Sequence, residues 1–171
     1  NERRILERFK GILEGEQPLR HTVFTAEEIK ATAHLQFVSA KPLLPVVNVA
    51  EDDLAGPRRA ALEAAFAERL ARYPEHNRPI TLFCSAKIEM EIAQLPVEEA
   101  AAFLADLGIA ESARVAVIRA SYALLGLISF LTSGEDEVRA WTIPRGLSAQ
   151  KAAGKIHSDI ERGFIRAETV S

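Results

Sequence analysis

Cysteine is nearly absent from this chain of 171 residues, where Cys84 stands alone. One thiol closes no internal disulfide, so packing and hydrogen bonds must hold the fold, and a cytoplasmic setting is the expectation. Long apolar runs are lacking too. The longest, Ala120 to Leu131, is broken by Ser121, Gly126 and Ser129, well short of the ~20 residues that a membrane-spanning helix needs. No membrane partner is expected. No cationic stretch leading into an apolar run and a small-residue cleavage site opens the chain, so nothing reads as a signal peptide. The first residue is Asn1 rather than Met, which reads as a cut. Repeats of fixed period and low-complexity tracts are also missing.

What is present is a globular composition, 48% hydrophobic with a mean hydropathy of +0.01, enough for one good core or two small ones. The net charge is −3, unevenly spread: residues 139–171 carry six Lys and Arg against three Asp and Glu, and the rest of the chain is acidic. A mild basic end suits an RNA or ribosome contact as well as an ordinary solvated face; no DNA partner is expected.

Residues 1–13 place Ile5, Leu6, Phe9, Ile12 and Leu13 on one face of a helix. Thr25 followed by Glu28 predicts a capping box opening a second helix that runs to about Phe37. The run Leu43 to Val49 reads as a buried strand, Pro57 to Tyr73 as a helix with proline just inside its start, and Pro79 to Phe83 as another strand. Together they predict a βαβ unit with parallel strands, whose remaining sheet lies outside this sequence. Helices are predicted over Lys87 to Gln94, Val97 to Leu107 and Ser112 to Leu125. From Gly126 the character turns to β, with a hairpin of Leu127 to Thr132 and Val138 to Ile143, a helix from Ser148 to Ile156 and a further strand over Gly163 to Glu168.

Ligands of open parallel sheets collect outside the carboxyl ends of the strands, so the polar residues that follow each predicted strand are the first candidates. The first strand runs into Asn48-Val49-Ala50-Glu51. P-loop GTPases have Asn-Lys-x-Asp there, and the aspartate accepts from N1–H and N2–H₂ of guanine. Here the pattern is Asn-x-x-Glu. Adenine carries neither donor, so a longer, displaced carboxylate makes adenine tolerable or preferred, while the Asn48 amide can meet purine N7 or tie the loop to a neighbour. The second strand runs into Cys84-Ser85-Ala86-Lys87, where such proteins close a backbone loop over the base. Lys87 can stack along the base or stay solvated. On the residues alone, a nucleotide site and a plain acidic turn after a strand both remain open.

Longer segments carry a resemblance. Asn48-Val-Ala-Glu-Asp52, Glu137-Val-Arg-Ala-Trp-Thr142, Ala152-Ala-Gly-Lys-Ile-His-Ser-Asp159 and Glu161-Arg-Gly-Phe-Ile-Arg-Ala-Glu168 closely resemble the YchF or Obg-like ATPases, across residues 25 to 171 and most strongly after Gly126. The resemblance implies mixed α/β and α+β architecture. Residues 1–40 would be the end of a helical coiled-coil insertion. Residues 41–125 would be the C-terminal part of a P-loop parallel-sheet G domain with connecting helices, and 126–171 an incomplete ubiquitin-like β-grasp, or TGS, domain. It also implies a purine-nucleotide-binding ATPase, taking ATP in preference to GTP, that acts as a nucleotide-dependent switch with ribosome contacts. Asn48, Val49, Glu51, Ser85 and Ala86 would bind the nucleotide.

The Gly-rich loop ending in Gly-Lys-Ser/Thr does not occur in this sequence. By the same resemblance the Mg²⁺ ligands and the catalytic histidine lie upstream, so no catalytic residue is assigned here and the piece alone is expected to be inactive. His157 and Asp159, beside Lys155, invite a general acid-base or metal reading, but with Cys84 they lack metal-ligand spacing and are read as structural or surface groups. Glu98-Glu99 and Asp52-Asp53 read as solvated helix starts. Trp141 shares a strand face with Arg139 and Ile143, as a core residue or as a stacking platform for RNA. Arg139, Arg145, Lys155 and Arg166 are the candidate RNA or partner contacts; an RNA- or protein-binding module without enzymatic activity is the alternative function.

Overall fold

A computed structural model describes residues 2–169, which fall into two compact units divided between Val117 and Ile118. The first opens with helix α1 (Glu2–Glu14), whose spacing turns Ile5 and Phe9 inward. Both are buried, together with Leu19, which is wholly shielded from solvent. Phe24 and Phe37 meet the Phe9 ring edge-on at centroid distances of 5.1 and 5.9 Å, so Phe9 is the centre of this cluster and its burial contributes about 1.5–3 kcal/mol.

Helix α2 (Ala26–Thr32) begins as the sequence predicts. The Thr25 hydroxyl accepts from the Glu28 N–H at 3.2 Å, and the Glu28 carboxylate accepts from the Thr25 N–H at 2.9 Å. Its end does not reach Phe37. A short 3₁₀ turn takes over at Ala33, and Gln36 adopts a left-handed φ of +49°. The Thr32 hydroxyl bonds back to the Glu28 carbonyl, the competition with helical continuation that Ser and Thr side chains offer.

Strands β1 (Val46–Asn48) and β2 (Leu82–Cys84) pair in parallel, with Asn48 opposite Cys84. Both are shorter than predicted, and the second sits further along the chain than Pro79 to Phe83. Prolines explain the trimming, since Pro45 and Pro79 have no N–H to give a ladder. Pro45 contributes only its carbonyl, which accepts from Leu82 N–H at 2.9 Å. Helix α3 (Gly56–Leu70) joins the strands. From α3, Phe66 meets Phe83 edge-on at 5.4 Å and the Arg59 guanidinium lies 4.1 Å over the same ring.

Helices α4 (Ala86–Ile92), α5 (Val97–Asp106) and α6 (Ala113–Leu124) follow. The Glu89 carboxylate, one turn into α4, accepts from the Ala113 N–H at 2.6 Å and the Arg114 N–H at 3.4 Å. It thereby serves two of the orphan donors at the start of α6 and places a negative charge at the positive end of that helix.

Two residues after the end of α6 stands Gly126, whose φ of +61° is the left-handed conformation that glycine adopts without a Cβ penalty. Strands β3 (Leu127–Ser133) and β4 (Val138–Pro144) form an antiparallel hairpin in which Phe130 faces Trp141 and Ile128 faces Ile143. Helix α7 (Ala149–Ile156), capped by Ser148, packs on β4, and Ala153 and Ile143 are both buried. Helix α8 (Ser158–Arg162) comes next.

The strand expected over Gly163 to Glu168 is not formed: residues 164–169 are irregular and Ile165 is 91% exposed. A strand forms only where a partner supplies the ladder, and among the described residues no strand pairs with this segment. No described helix is long and apolar enough to cross a membrane.

Candidate functional site

The parallel register brings the carboxyl ends of β1 and β2 side by side, so the residues after Asn48 and after Cys84 form neighbouring loops. The Val49 N–H donates to the Cys84 carbonyl at 2.8 Å, which extends the ladder one step past β1. The Asn48 side chain then reaches across: its Oδ1 accepts from the Ala86 N–H at 2.9 Å. Of the two roles open to this amide, the structure gives it the tie between loops. Its donor end points away from that bond, since an amide has its acceptor and donors on separate atoms.

Ser85 is the buried member of the group, only 4% exposed, whereas Ala86, Asn48 and Glu51 are exposed and Val49 is half-buried. Ser85 has extended backbone at the N-cap of α4, and its hydroxyl makes no capping bond. The loop after it turns directly into helix, as the Ser85 carbonyl accepts from Glu89 N–H. A backbone edge at the start of a short helix lies next to the tied Asn48 loop.

Glu51 begins a 3₁₀ turn, Glu51–Asp53, in which Asp53 pairs with Arg58 at 3.5 Å. The Glu51 carboxylate faces Lys87, with Nζ 3.6 Å from Oε2, and Lys87 has a second carboxylate, Glu91 Oε1, at 3.8 Å. This Lys87 pairing was missed from sequence. Only the i,i+4 spacing to Glu91 was readable; the partner 36 positions upstream follows from the strand register.

Cys84, at the end of β2, is half-buried; burial pushes its thiol up, and the Glu89 carboxylate adds to the shift. A raised thiol is a poor nucleophile at neutral pH.

The four basic residues singled out in the second unit lie on four separate elements: Arg139 on β4, Arg145 in the turn after it, Lys155 in the last turn of α7 and Arg166 in the irregular segment 164–169. Arg139 is the most constrained, its guanidinium 4.4 Å over the Trp141 ring, whose indole N–H donates to Thr132 Oγ1 at 2.9 Å. Trp141 is half-buried, on the same face of the hairpin as buried Ile143.

His157 caps α8, its ring nitrogen accepting from the Asp159 N–H at 3.2 Å, which is a structural task. Among the described residues no group of three or more His, Cys, Asp or Glu side chains could hold a metal ion.

Comparisons with known proteins agree on one family. The family YchF-GTPase_C, described as a protein of unknown function (DUF933), matches residues 127–171. The ribosome-binding ATPase YchF of Bacillus subtilis is 47% identical over 167 residues, covering 98% of this chain and 44% of that protein. YchF of Escherichia coli O157:H7 is 38% identical with the same coverage. Obg-like ATPase 1 of Caenorhabditis elegans is 33% identical over 96% of this chain and 41% of that protein. The solved structure of the Schizosaccharomyces pombe YchF GTPase superposes with a TM-score of 0.75 at 30% identity, over 96% of this chain and 43% of that one. The chain thus spans less than half the length of the curated relatives it matches.

Proposed function

The chain belongs to the YchF and Obg-like ATPase family, and from that premise we propose that it supplies the base-reading side of a purine-nucleotide site. In the full-length protein this side faces a phosphate-binding loop carried by other residues. The observation that carries this reading is the hydrogen bond from Ala86 N–H to Asn48 Oδ1 at 2.9 Å. It fixes two loops at the carboxyl ends of adjacent parallel strands, the place where such sheets bind ligands.

In this reading Val49 and the Ser85-Ala86 edge lie against the base, and Asn48 keeps the two loops in register through its tie to Ala86. Glu51 replaces the shorter aspartate that reads guanine, so ATP is bound in preference to GTP. Among the described residues no group of acidic, His or Cys side chains could hold Mg²⁺, so the ion that would accompany the phosphates is assigned to residues outside them. The parent hydrolyses ATP in the cytoplasm and works as a nucleotide-driven switch; loops that contact nucleotide change on hydrolysis, and appended elements read out the change. B. subtilis YchF and its bacterial relatives are named ribosome-binding, which supports a ribosome as the partner.

A second reading is favoured by the Arg139 stack on Trp141. A guanidinium and an aromatic face are the two platforms on which unpaired bases stack, so the second unit would bind RNA or protein without enzymatic activity.

The test is intact mass followed, on the same sample, by titration with Mg-ATP and Mg-GTP. A mass well above 18.8 kDa with saturable ATP binding supports the nucleotide reading. A full-length protein that binds neither nucleotide, yet retains RNA, overturns it in favour of the second.

A further inference from the structure

We propose that Lys87 sets base selectivity at this site by holding Glu51 in an ion pair, so that the Glu51 carboxylate is withheld from the N1–H and N2–H₂ donors of guanine. The inference rests on the nucleotide reading above and adds a residue and a mechanism to it. The carboxylate that follows Asn48 by three positions does not stand free at the mouth of the site: Lys87 Nζ lies 3.6 Å from its Oε2. Guanine must draw the carboxylate off the ammonium before it can be read. Adenine presents an acceptor at N1 and a carbon-bound hydrogen at C2, needs no carboxylate there, and leaves the pair intact.

The magnitude of the preference follows from the second partner. Lys87 Nζ is also 3.8 Å from Glu91 Oε1, one helical turn along α4. When guanine recruits Glu51, the ammonium keeps Glu91. The pair is also open to water, with side-chain exposures of 67% for Lys87 and 47% for Glu51. Both features make release of Glu51 inexpensive, so the device discriminates modestly and does not exclude GTP.

The two carboxylates give the proposal opposite signs to test. Removing the ammonium frees Glu51 and favours guanine. Removing Glu91 leaves Lys87 wholly dependent on Glu51, makes its release harder and disfavours guanine. General attraction of Lys87 for phosphate acts on both nucleotides alike and cancels in their ratio.

The experiment measures dissociation constants of the full-length protein for non-hydrolysable ATP and GTP analogues in the presence of Mg²⁺. Lys87→Met, which keeps the aliphatic stem, should raise the preference for GTP relative to ATP about three-fold, within the strength of an exposed ion pair. Glu91→Gln should lower it by about two-fold on the same scale. Adding Lys87→Met to Glu51→Gln should leave the ratio of the Glu51→Gln protein unchanged. Lys87→Met weakening both nucleotides equally, or Glu91→Gln moving the ratio in the same direction as Lys87→Met, overturns the proposal while leaving the nucleotide site standing. Wild-type protein that binds neither analogue overturns the site reading and this inference with it.

Discussion

The helical opening and the strand pair of the first unit are built on different principles. Around α1 the contacts are apolar: Ile5, Phe9 and Leu19 are buried and Phe24 and Phe37 close around them. Around β1 and β2 the joined residues are nearly forty positions apart. The strands are three residues each, Val46 at the head of β1 is 47% exposed, and the loops are joined by polar contacts: the Asn48 amide on the Ala86 N–H, the Val49 N–H on the Cys84 carbonyl and the Lys87–Glu51 ion pair. The opening is held by burial, so its stability and its local structure change together. The strand ends are held by polar geometry, so a substitution there can spoil the site at little cost in stability.

The largest effect expected from this contrast is at Phe9. Phe9→Ala removes the ring at the centre of the opening and should destabilise that region by about 3–5 kcal/mol, the range for large core truncations. Thermal unfolding checks it, with early loss of helical signal. Asn48→Ala should be its converse, costing about ten-fold in nucleotide affinity, or about 1.4 kcal/mol, with a smaller loss of stability because only one exposed hydrogen bond is removed.

Thr25→Ala strips the α2 cap and should cost about 1 kcal/mol in the same melting experiment. The smallest effect is electrostatic. The Glu28 carboxyl is held below its ordinary value, first by the Thr25 backbone N–H and further by the Arg8 guanidinium. A depressed folded-state pKa gives stability that is present above the unfolded value of 4.5 and lost as pH falls through the lower, folded one. Melting temperature should therefore fall with acid slightly less steeply in Glu28→Gln than in wild type. Equal slopes would show that the α2 cap does not depend on the carboxylate charge.

Much of the opening was legible because its signals are local. Thr25 and Glu28 are three residues apart, and the capping box formed where that spacing predicts it. The end of α2 was not, since the left-handed turn at Gln36 and the Thr32 back-bond override a continuing apolar pattern. For the site, sequence located the polar loops after two strands, and the parallel register brings those loops together. It left the role of the Asn48 amide open between base and neighbouring loop. The pairing of Lys87 with Glu51 was illegible, because it depends on the strand register that brings the two loops together rather than on spacing along the chain. The strand expected over Gly163 to Glu168 failed for a related reason: strand-favouring residues state a preference, and only a partner strand realises it.

The most direct test of the central claim is a titration of the full-length protein and its Asn48→Ala variant with Mg-ATP, with melting temperatures taken on the same preparations. Tight binding by the wild type is expected, with an affinity about ten-fold weaker in the variant and melting temperatures within a few degrees of each other. Equal affinity in both proteins, with the variant melting much earlier, would contradict it and reduce the bond between Asn48 and Ala86 to a purely structural one.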